Sequence, residues 1–185
     1  MRKVSYFVAS SLDGFIAGPN GEVDWLMRFH KTVKGEGDYG MRELDRSIDT
    51  VIMGRATHDF ALAHGMIGHP GAKNYIFTRS KPAGERDGVE YVSGDPAELI
   101  KKLRTKHGKD IWLMGGGAIA RDFLVAGALD EIVVTLIPIL LGEGIPLFRN
   151  PHPEFALQVL DTKPYKSGVV QLRCAVKSKS KPHRG

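Results

Sequence analysis

A single cysteine, Cys174, stands in 185 residues. No internal disulfide can form, and the chain is expected to work in a reducing, cytoplasmic compartment. No apolar run approaches the roughly 18–20 residues that cross a bilayer, which argues against a helical membrane span. The opening residues, Met1-Arg2-Lys3-Val4-Ser5-Tyr6-Phe7-Val8, turn from basic to apolar. Asp13 interrupts them before an export signal's apolar core could build up, so they read as a first strand. The seven histidines fall into no HExxH or Cys/His ligand spacing, which argues against a zinc site. No Gly-x-Ser-x-Gly elbow is present. Cys174, inside a strand-like stretch, reads as a small packed residue rather than a nucleophile. Internal repeats and low-complexity linkers are missing as well, so the length suits one well-filled core, residues 1–176.

Net charge is scarce except at the end. Much of the formal net charge of +5 sits in residues 177–185, Lys177-Ser178-Lys179-Ser180-Lys181-Pro182-His183-Arg184-Gly185. That segment is too polar to bury and is expected to be a flexible, solubilising tail. A basic tail can hold phosphates without sequence preference, but the rest of the domain is near neutral and no specific nucleic-acid partner is expected.

What is present is alternation of strand-like and helix-like segments, the pattern of an α/β sheet. Strands are expected at Lys3–Ala9, Thr50–Met53, Asn74–Thr78, Val89–Val92, Ile111–Met114 and Glu131–Pro138. Two more, near Phe155–Leu160 and Val169–Val176, follow one another across the turn Tyr165-Lys166-Ser167-Gly168. They predict an antiparallel hairpin at one edge of a mixed sheet. Asp95-Pro96-Ala97-Glu98 opens a helix with a capping residue and a proline at the first position. Leu99, Ile100 and Leu103 give it an apolar stripe. Further helices are expected over Gly117–Val125 and Tyr39–Ser47, with short helical turns after Arg55.

Three strand ends carry chemistry. Ile111-Trp112-Leu113-Met114 runs into Gly115-Gly116-Gly117 and then directly into the helix from Ala118 and Ile119. Glycine lets a backbone approach a phosphate closely, and a helix start adds free amides and a favourable dipole. A tight turn needed only for packing would look the same, and the stretch is neither a GxGxxG fingerprint nor a P-loop. Val51-Ile52-Met53 ends in Gly54, followed by Arg55, Ala56 and Thr57. Arginine grips phosphate bidentately and a threonine hydroxyl adds one more bond. Asn74–Phe77 ends in Thr78, Arg79 and Ser80. Ligands of open α/β sheets bind beyond the carboxyl ends of strands, so the three together suggest a dinucleotide cradle.

The Met53-Gly54-Arg55 strand end with Thr57, Lys73-Asn74 before a strand, and Gly115-Gly116-Gly117 resemble the NADPH-binding motifs of dihydrofolate reductases. The closer resemblance is to the reductase domain of riboflavin biosynthesis and its bacterial relatives. It is carried by Ser11-Leu12-Asp13-Gly14-Phe15-Ile16-Ala17, Asp49-Thr50-Val51, Leu129-Asp130-Glu131, and Pro138-Ile139-Leu140-Leu141-Gly142-Glu143-Gly144-Ile145-Pro146-Leu147-Phe148. It covers roughly residues 3–176. The resemblance implies a dihydrofolate reductase-like three-layer α/β fold, with a mostly parallel mixed sheet, an antiparallel C-terminal edge hairpin and helices on both faces. It also implies a homodimer, which the apolar run Ile137–Leu141 favours.

The same resemblance implies site roles. Ala9 and Ile16 would border the nicotinamide, with Ser11–Asp24 as a mobile loop over it. Gly54, Arg55, Ala56 and Thr57 would hold the pyrophosphate and the 2′-phosphate. Thr78, Arg79 and Ser80 would flank the adenine ribose and favour NADPH over NADH. Gly115, Gly116, Gly117, Ala118 and Ile119 would meet the pyrophosphate. Many dihydrofolate reductases carry arginine after the third glycine, whereas this chain has Ala118, so Arg55 and Arg79 must supply more of the anion binding. On the substrate side, the buried acid of dihydrofolate reductases corresponds, counting back from Gly54, to Asp38, with Thr135 as its partner. Asp38 is a catalytic carboxylate in that reading and a helix cap in the plainer one. Glu43 and Asp45 are fallback acids, and Trp25, Leu26 and Phe29 are candidates for an apolar wall.

Together these features predict hydride transfer from NADPH to a pterin, folate or aminopyrimidine-type ring. The alternative is a nucleotide-binding sensor that uses the same pocket without turnover.

Overall fold

Side chains along the first strand point alternately into two different cores, and this alternation organises the molecule. The computed structural model describes residues 1–32, 37–79, 84–86 and 88–177. In chain order the elements are β1 (Val4–Ser11), β2 (Phe15–Ala17), α1 (Asp24–Thr32), α2 (Met41–Ser47), β3 (Ile48–Gly54), α3 (Arg55–Ala63), β4 (Lys73–Phe77) and β5 (Gly84–Arg86). They continue with β6 (Val89–Val92), α4 (Pro96–Arg104), β7 (Asp110–Met114), α5 (Gly117–Val125), β8 (Glu131–Ile137), β9 (Ile145–Pro146), β10 (Leu157–Pro164) and β11 (Val170–Val176).

Nine strands form one sheet in the order β10-β11-β8-β1-β7-β3-β4-β6-β5. The pairs from β8 through β1, β7, β3 and β4 to β6 are parallel. At the C-terminal edge β11 lies antiparallel to β8, and β10 antiparallel to β11. The fold is therefore the expected one, a mostly parallel sheet with an antiparallel C-terminal hairpin.

Val4 and Tyr6 of β1, with Ile111 and Leu113 of β7, face Ile100 and Leu103 of α4 and Ile119, Phe123 and Leu124 of α5. Phe123 is fully buried and meets Phe77 edge-on at 5.6 Å. Burial of each such side chain stabilises the fold by about 1.5–3 kcal/mol. On the opposite face Val51, Met53 and Trp112 pack against Leu44 of α2. There the Trp112 indole Nε1 donates to Phe7 O at 3.1 Å. A third cluster, Trp25, Tyr39, Ile137 and Val169, closes the upper end of that face.

Several boundaries depart from the sequence reading. The helix expected from Tyr39 begins at Met41, because Tyr39 (φ 50°) and Gly40 (φ 87°) both occupy left-handed conformations. The turns after Arg55 are a nine-residue helix. The outer hairpin strand runs Leu157–Pro164 rather than Phe155–Leu160; none of its eight residues is buried, and its register shifts between Val159 and Asp161. With no buried face the strand shows no alternation to read. Asp95 caps α4 as expected, accepting from Ala97 N at 2.8 Å. Among the described residues no helix is long and apolar enough to cross a membrane. Ser80 and the basic tail beyond Lys177 lie outside the described residues.

Candidate active site

The connections leaving β3 and β7, which are neighbours, diverge. From β3 the chain goes by α3 to β4 on one side, whereas from β7 it goes by α5 across β1 to β8 on the other. Such a divergence opens a crevice at the carboxyl ends of the strands, where ligands of open α/β sheets sit. In register, Met53 lies beside Met114 and Gly54 beside Phe77. The strand ends carrying Gly54, Thr78 and Gly115 thus share one rim.

Contacts within that rim are close. A Cβ on Gly54 would lie 3.6 Å from the Ile119 side chain, and one on Gly116 would lie 3.2 Å from Thr57 Oγ1. Gly115 (φ 59°) and Gly116 (φ 83°) both hold conformations that side chains resist. The helices α3 and α5 begin here with Gly54 and Gly116 as N-caps, and neither has a side-chain cap. In α5 the Ala120 amide reaches Gly116 O at 3.1 Å. The amides of Gly117, Ala118 and Ile119 precede it, at the end where a helix offers unsatisfied donors and positive potential. Ala56 and Ala118 are exposed on the two helix starts. Arg55 is half-buried, its Nε bonded to Asp59 at 2.6 Å. Thr78 is buried, its amide donating to Val92 O at 2.9 Å, and Arg79 is exposed. Two uncapped helix ends, three glycines and two arginines on one rim suit a pyrophosphate.

The loop after β1, expected to border a nicotinamide, is tied to this rim by one length of chain, residues 139–149. Leu12 N donates to Ile139 O at 2.9 Å, and the Asp13 carboxylate accepts from Ser11 Oγ (2.6 Å), Leu141 N (3.0 Å) and Gly142 N (2.7 Å). The Ser11 hydroxyl, then the Gly142 amide, hold the Asp13 carboxyl below its usual pKa. Farther along, Phe15 pairs with Pro146 and Leu147 N donates to Gly14 O at 2.8 Å. Arg149 N then donates to Gly117 O at 3.0 Å. Ile16, half-buried in β2, and the glycine turn are therefore held by a common strap. The sequence displayed both partners as motifs, but nothing in it displayed their contact.

On the side expected to meet a substrate, Ala9 lies beside Thr135 in the β1–β8 register, and Thr135 is buried. The Gln171 amide nitrogen donates to both Thr135 Oγ1 and Tyr39 O, each at 2.9 Å. Gln171 joins the Asp38–Tyr39 segment to Thr135, and sequence reasoning missed it. Asp38 itself does not turn inward. Its Oδ2 accepts from Arg42 N at 2.9 Å and its Oδ1 from Gly40 N at 3.2 Å. The Arg42 amide leads in holding its pKa below the usual value. Of the two roles left open for Asp38, these bonds are those of the cap. Glu43 is exposed, and Asp45 pairs with His69 Nε2 at 3.2 Å. The residues named for an apolar wall pack together in one core cluster: Trp25 is buried, with Leu26 and Phe29 against the same cluster as Tyr165. Ile137 is 1% exposed, and Ile139 and Leu141 also pack inward, so of that apolar run Pro138 and Leu140 are the exposed residues.

A separate cavity of about 250 Å³ runs beside α2 from the amino ends of the strands up to Gly40 and Gln171. Glu131 lies on its floor, bonded to Lys3 at 2.8 Å and Arg173 at 2.9 Å. Burial works to raise its pKa, but those two cations together lower it. Lys3 and Arg173 are thus both committed to Glu131, and Glu43, Asp110 and Asp161 line the same cavity, so it is not an anion cradle.

Comparison with known proteins agrees with this geometry. The model of the RibD C-terminal domain matches residues 69–171, more than half of the chain. The Bacillus subtilis protein YwjB, described only as uncharacterized, is 34% identical over 169 residues, covering 91% of this chain and 95% of its own. A putative riboflavin biosynthesis protein from Shewanella sp. PV-4 superposes with a TM-score of 0.81 at 29% identity, covering 96% of this chain and all of that one. Dihydrofolate reductase from Enterococcus faecalis, solved with NADP(H), superposes with a TM-score of 0.64 at 16% identity, covering 95% of this chain and 97% of that one. The last likeness concerns the fold alone.

Proposed function

Because the chain belongs to the RibD C-terminal domain family, we propose that it is an NADPH-dependent reductase of a small, flat heterocycle of the pterin, folate or aminopyrimidine type. The observation that carries this reading is the switch point between β3 and β7, where two uncapped helix starts flank Gly54 and Gly115–Gly116. When bound, the dinucleotide supplies the hydride, and the protein supplies position and a dry, ordered wall. The amides at the starts of α3 and α5 bind the pyrophosphate. Arg55 and Arg79 hold the 2′-phosphate, while Ala9 and Ile16 border the nicotinamide. Thr135, fixed by Gln171, orients the ring that receives the hydride, and a proton reaches that ring through water. A reducing compartment and a homodimer belong to the same proposal; the molar mass in solution tests the latter.

Arg55→Ala and Arg79→Ala test the cofactor assignment. Each should weaken NADPH binding at least tenfold while NADH changes less than threefold. Equal losses for both nucleotides would refute recognition of the 2′-phosphate. One observation favours the sensor reading: the Asp38 carboxylate is partly exposed and accepts from the Gly40 and Arg42 amides, as a helix-capping group does, rather than lying buried as a catalytic acid would. NADPH that binds but is oxidised by no member of a pterin, folate and pyrimidine panel would support that reading.

A further inference from the structure

We propose that Asp13 is a positioning residue for the nicotinamide. Its carboxylate latches the loop after β1 to the strap of residues 139–149, and through that strap the loop takes its position from the start of α5. The proposal rests on the cofactor assignment above and deepens it.

The strap is seated in the core at one end only. Tyr6, fully buried, donates its hydroxyl to Leu147 O at 3.2 Å and meets Phe148 edge-on at 5.5 Å. Arg149 N reaches Gly117 O at 3.0 Å, and Pro146 O lies so close over Gly117 that no Cβ fits beneath it. At the other end Leu140 is 70% exposed, and in the loop beside it Leu12 is 63% exposed. These two tips bury little apolar surface against each other, so their union depends on polar bonds.

Those bonds gather on one side chain. The Asp13 carboxylate accepts from Ser11 Oγ within the loop and from Leu141 N and Gly142 N of the strap, which stand 128 and 129 positions along the chain. Successive amides aimed at one point form an anion-binding concavity. Gly142, at φ 81°, supplies the left-handed turn that aims these two, and the guest of the concavity is the protein's own carboxylate. Ser11 Oγ also accepts from Phe15 N at 2.9 Å, which carries the tie on to β2 and Ile16. A capping aspartate is satisfied by neighbouring amides, as Asp38 is by Gly40 N and Arg42 N. Two of the three donors to Asp13 come instead from across the fold.

The test uses the full chain. It pairs amide hydrogen exchange, followed by NMR without nucleotide, with calorimetric titration of NADPH and of 2′-phospho-ADP-ribose, which carries the phosphates and lacks the nicotinamide. The amides of Leu12 and Leu147 join loop to strap, through Ile139 O and Gly14 O. In Asp13→Ala both should exchange about tenfold faster, while the Arg149 amide at the seated end stays within about twofold. NADPH should bind about fivefold more weakly, and 2′-phospho-ADP-ribose should stay within about twofold of the parent. Removing a negative charge by itself favours a polyanion, so a weaker NADPH complex cannot come from charge. Asp13→Asn makes the same charge change but keeps one acceptor oxygen, and should lose less NADPH affinity than Asp13→Ala. Unchanged exchange at Leu12 and Leu147, unchanged or tighter NADPH binding, equal losses for the two nucleotides, or equal losses for the two variants would each overturn the proposal. Faster exchange at Leu12 and Leu147 in a protein whose parent binds neither nucleotide would instead overturn the cofactor assignment and leave the latch standing.

Discussion

Replacing Gly117 by alanine tests the strap that joins the two ends of the proposed cofactor site. A Cβ at this position would stand 2.0 Å from Pro146 O, 3.2 Å from Pro146 C and 3.3 Å from Leu147 O. All three are backbone atoms, so no side chain can swing aside, and the strap must retreat by more than an ångström. That retreat breaks the 3.0 Å bond from Arg149 N to Gly117 O. Overpacking costs about 1–3 kcal/mol and the lost bond about 1 kcal/mol. Alanine's better helix propensity returns at most about 1 kcal/mol. A net loss of about 1–3 kcal/mol lowers the melting temperature of a chain this size by roughly 2–12 °C. Because β2 pairs with the same strap, NADPH affinity should fall as well. Gly127→Ala is the control: its φ is +66° but nothing lies within 4 Å of the added carbon, so it costs stability without touching cofactor binding. Thermal melts followed by circular dichroism and NADPH fluorescence titrations report both effects. A Gly117→Ala protein that melts with the parent and binds NADPH normally would refute the reasoning.

Freeing Arg55 by Asp59→Asn should tighten NADPH up to about fivefold, the range of an exposed ion pair, with no change for NADH; an unchanged NADPH Kd would show that Arg55 does not reach the cofactor. Asp38→Asn should leave turnover within twofold, because the carboxylate is spent on amides; a tenfold loss would restore its catalytic role. Glu131 has a folded-state pKa below its unfolded value, so its contribution is complete above the unfolded value of about 4.3 and is lost as pH falls through the folded one. Urea titrations between about pH 5 and 3 should show a smaller fall in stability for Glu131→Gln than for the parent, and parallel curves would refute the coupling to Lys3 and Arg173.

How much of this was legible in the sequence depended on whether a residue's environment is set by its neighbours in the chain. The buried strands Ile111–Met114 and Val89–Val92 are apolar enough to read directly, and both occur as expected. The glycines after β7 signal their own backbone needs, and the structure gives Gly115 and Gly116 positive φ. Helix α1 was not anticipated, since Trp25, Leu26 and Phe29 read only as a wall; its short amphipathic pattern is complete only when Ile137 and Val169 cover it. The two-residue β9 carries no periodic signal at all. Gln171 was invisible as a site residue because its partners, Thr135 and Tyr39, lie 36 and 132 positions away in the chain. His64 and His69 sit in the same glycine-rich stretch of sequence, which gives no sign that their burial differs. His64 is exposed, but His69 packs edge-on against Trp112 at 5.4 Å.

Gln171 belongs to the strand next to the sheet's outermost rim, where its register partner is Lys163 of β10. That rim is bare along its whole length. One residue pair thus separates the solvent edge of the molecule from the groups that position Thr135, so the proposed ring site takes its support from the barest strand pair of the sheet.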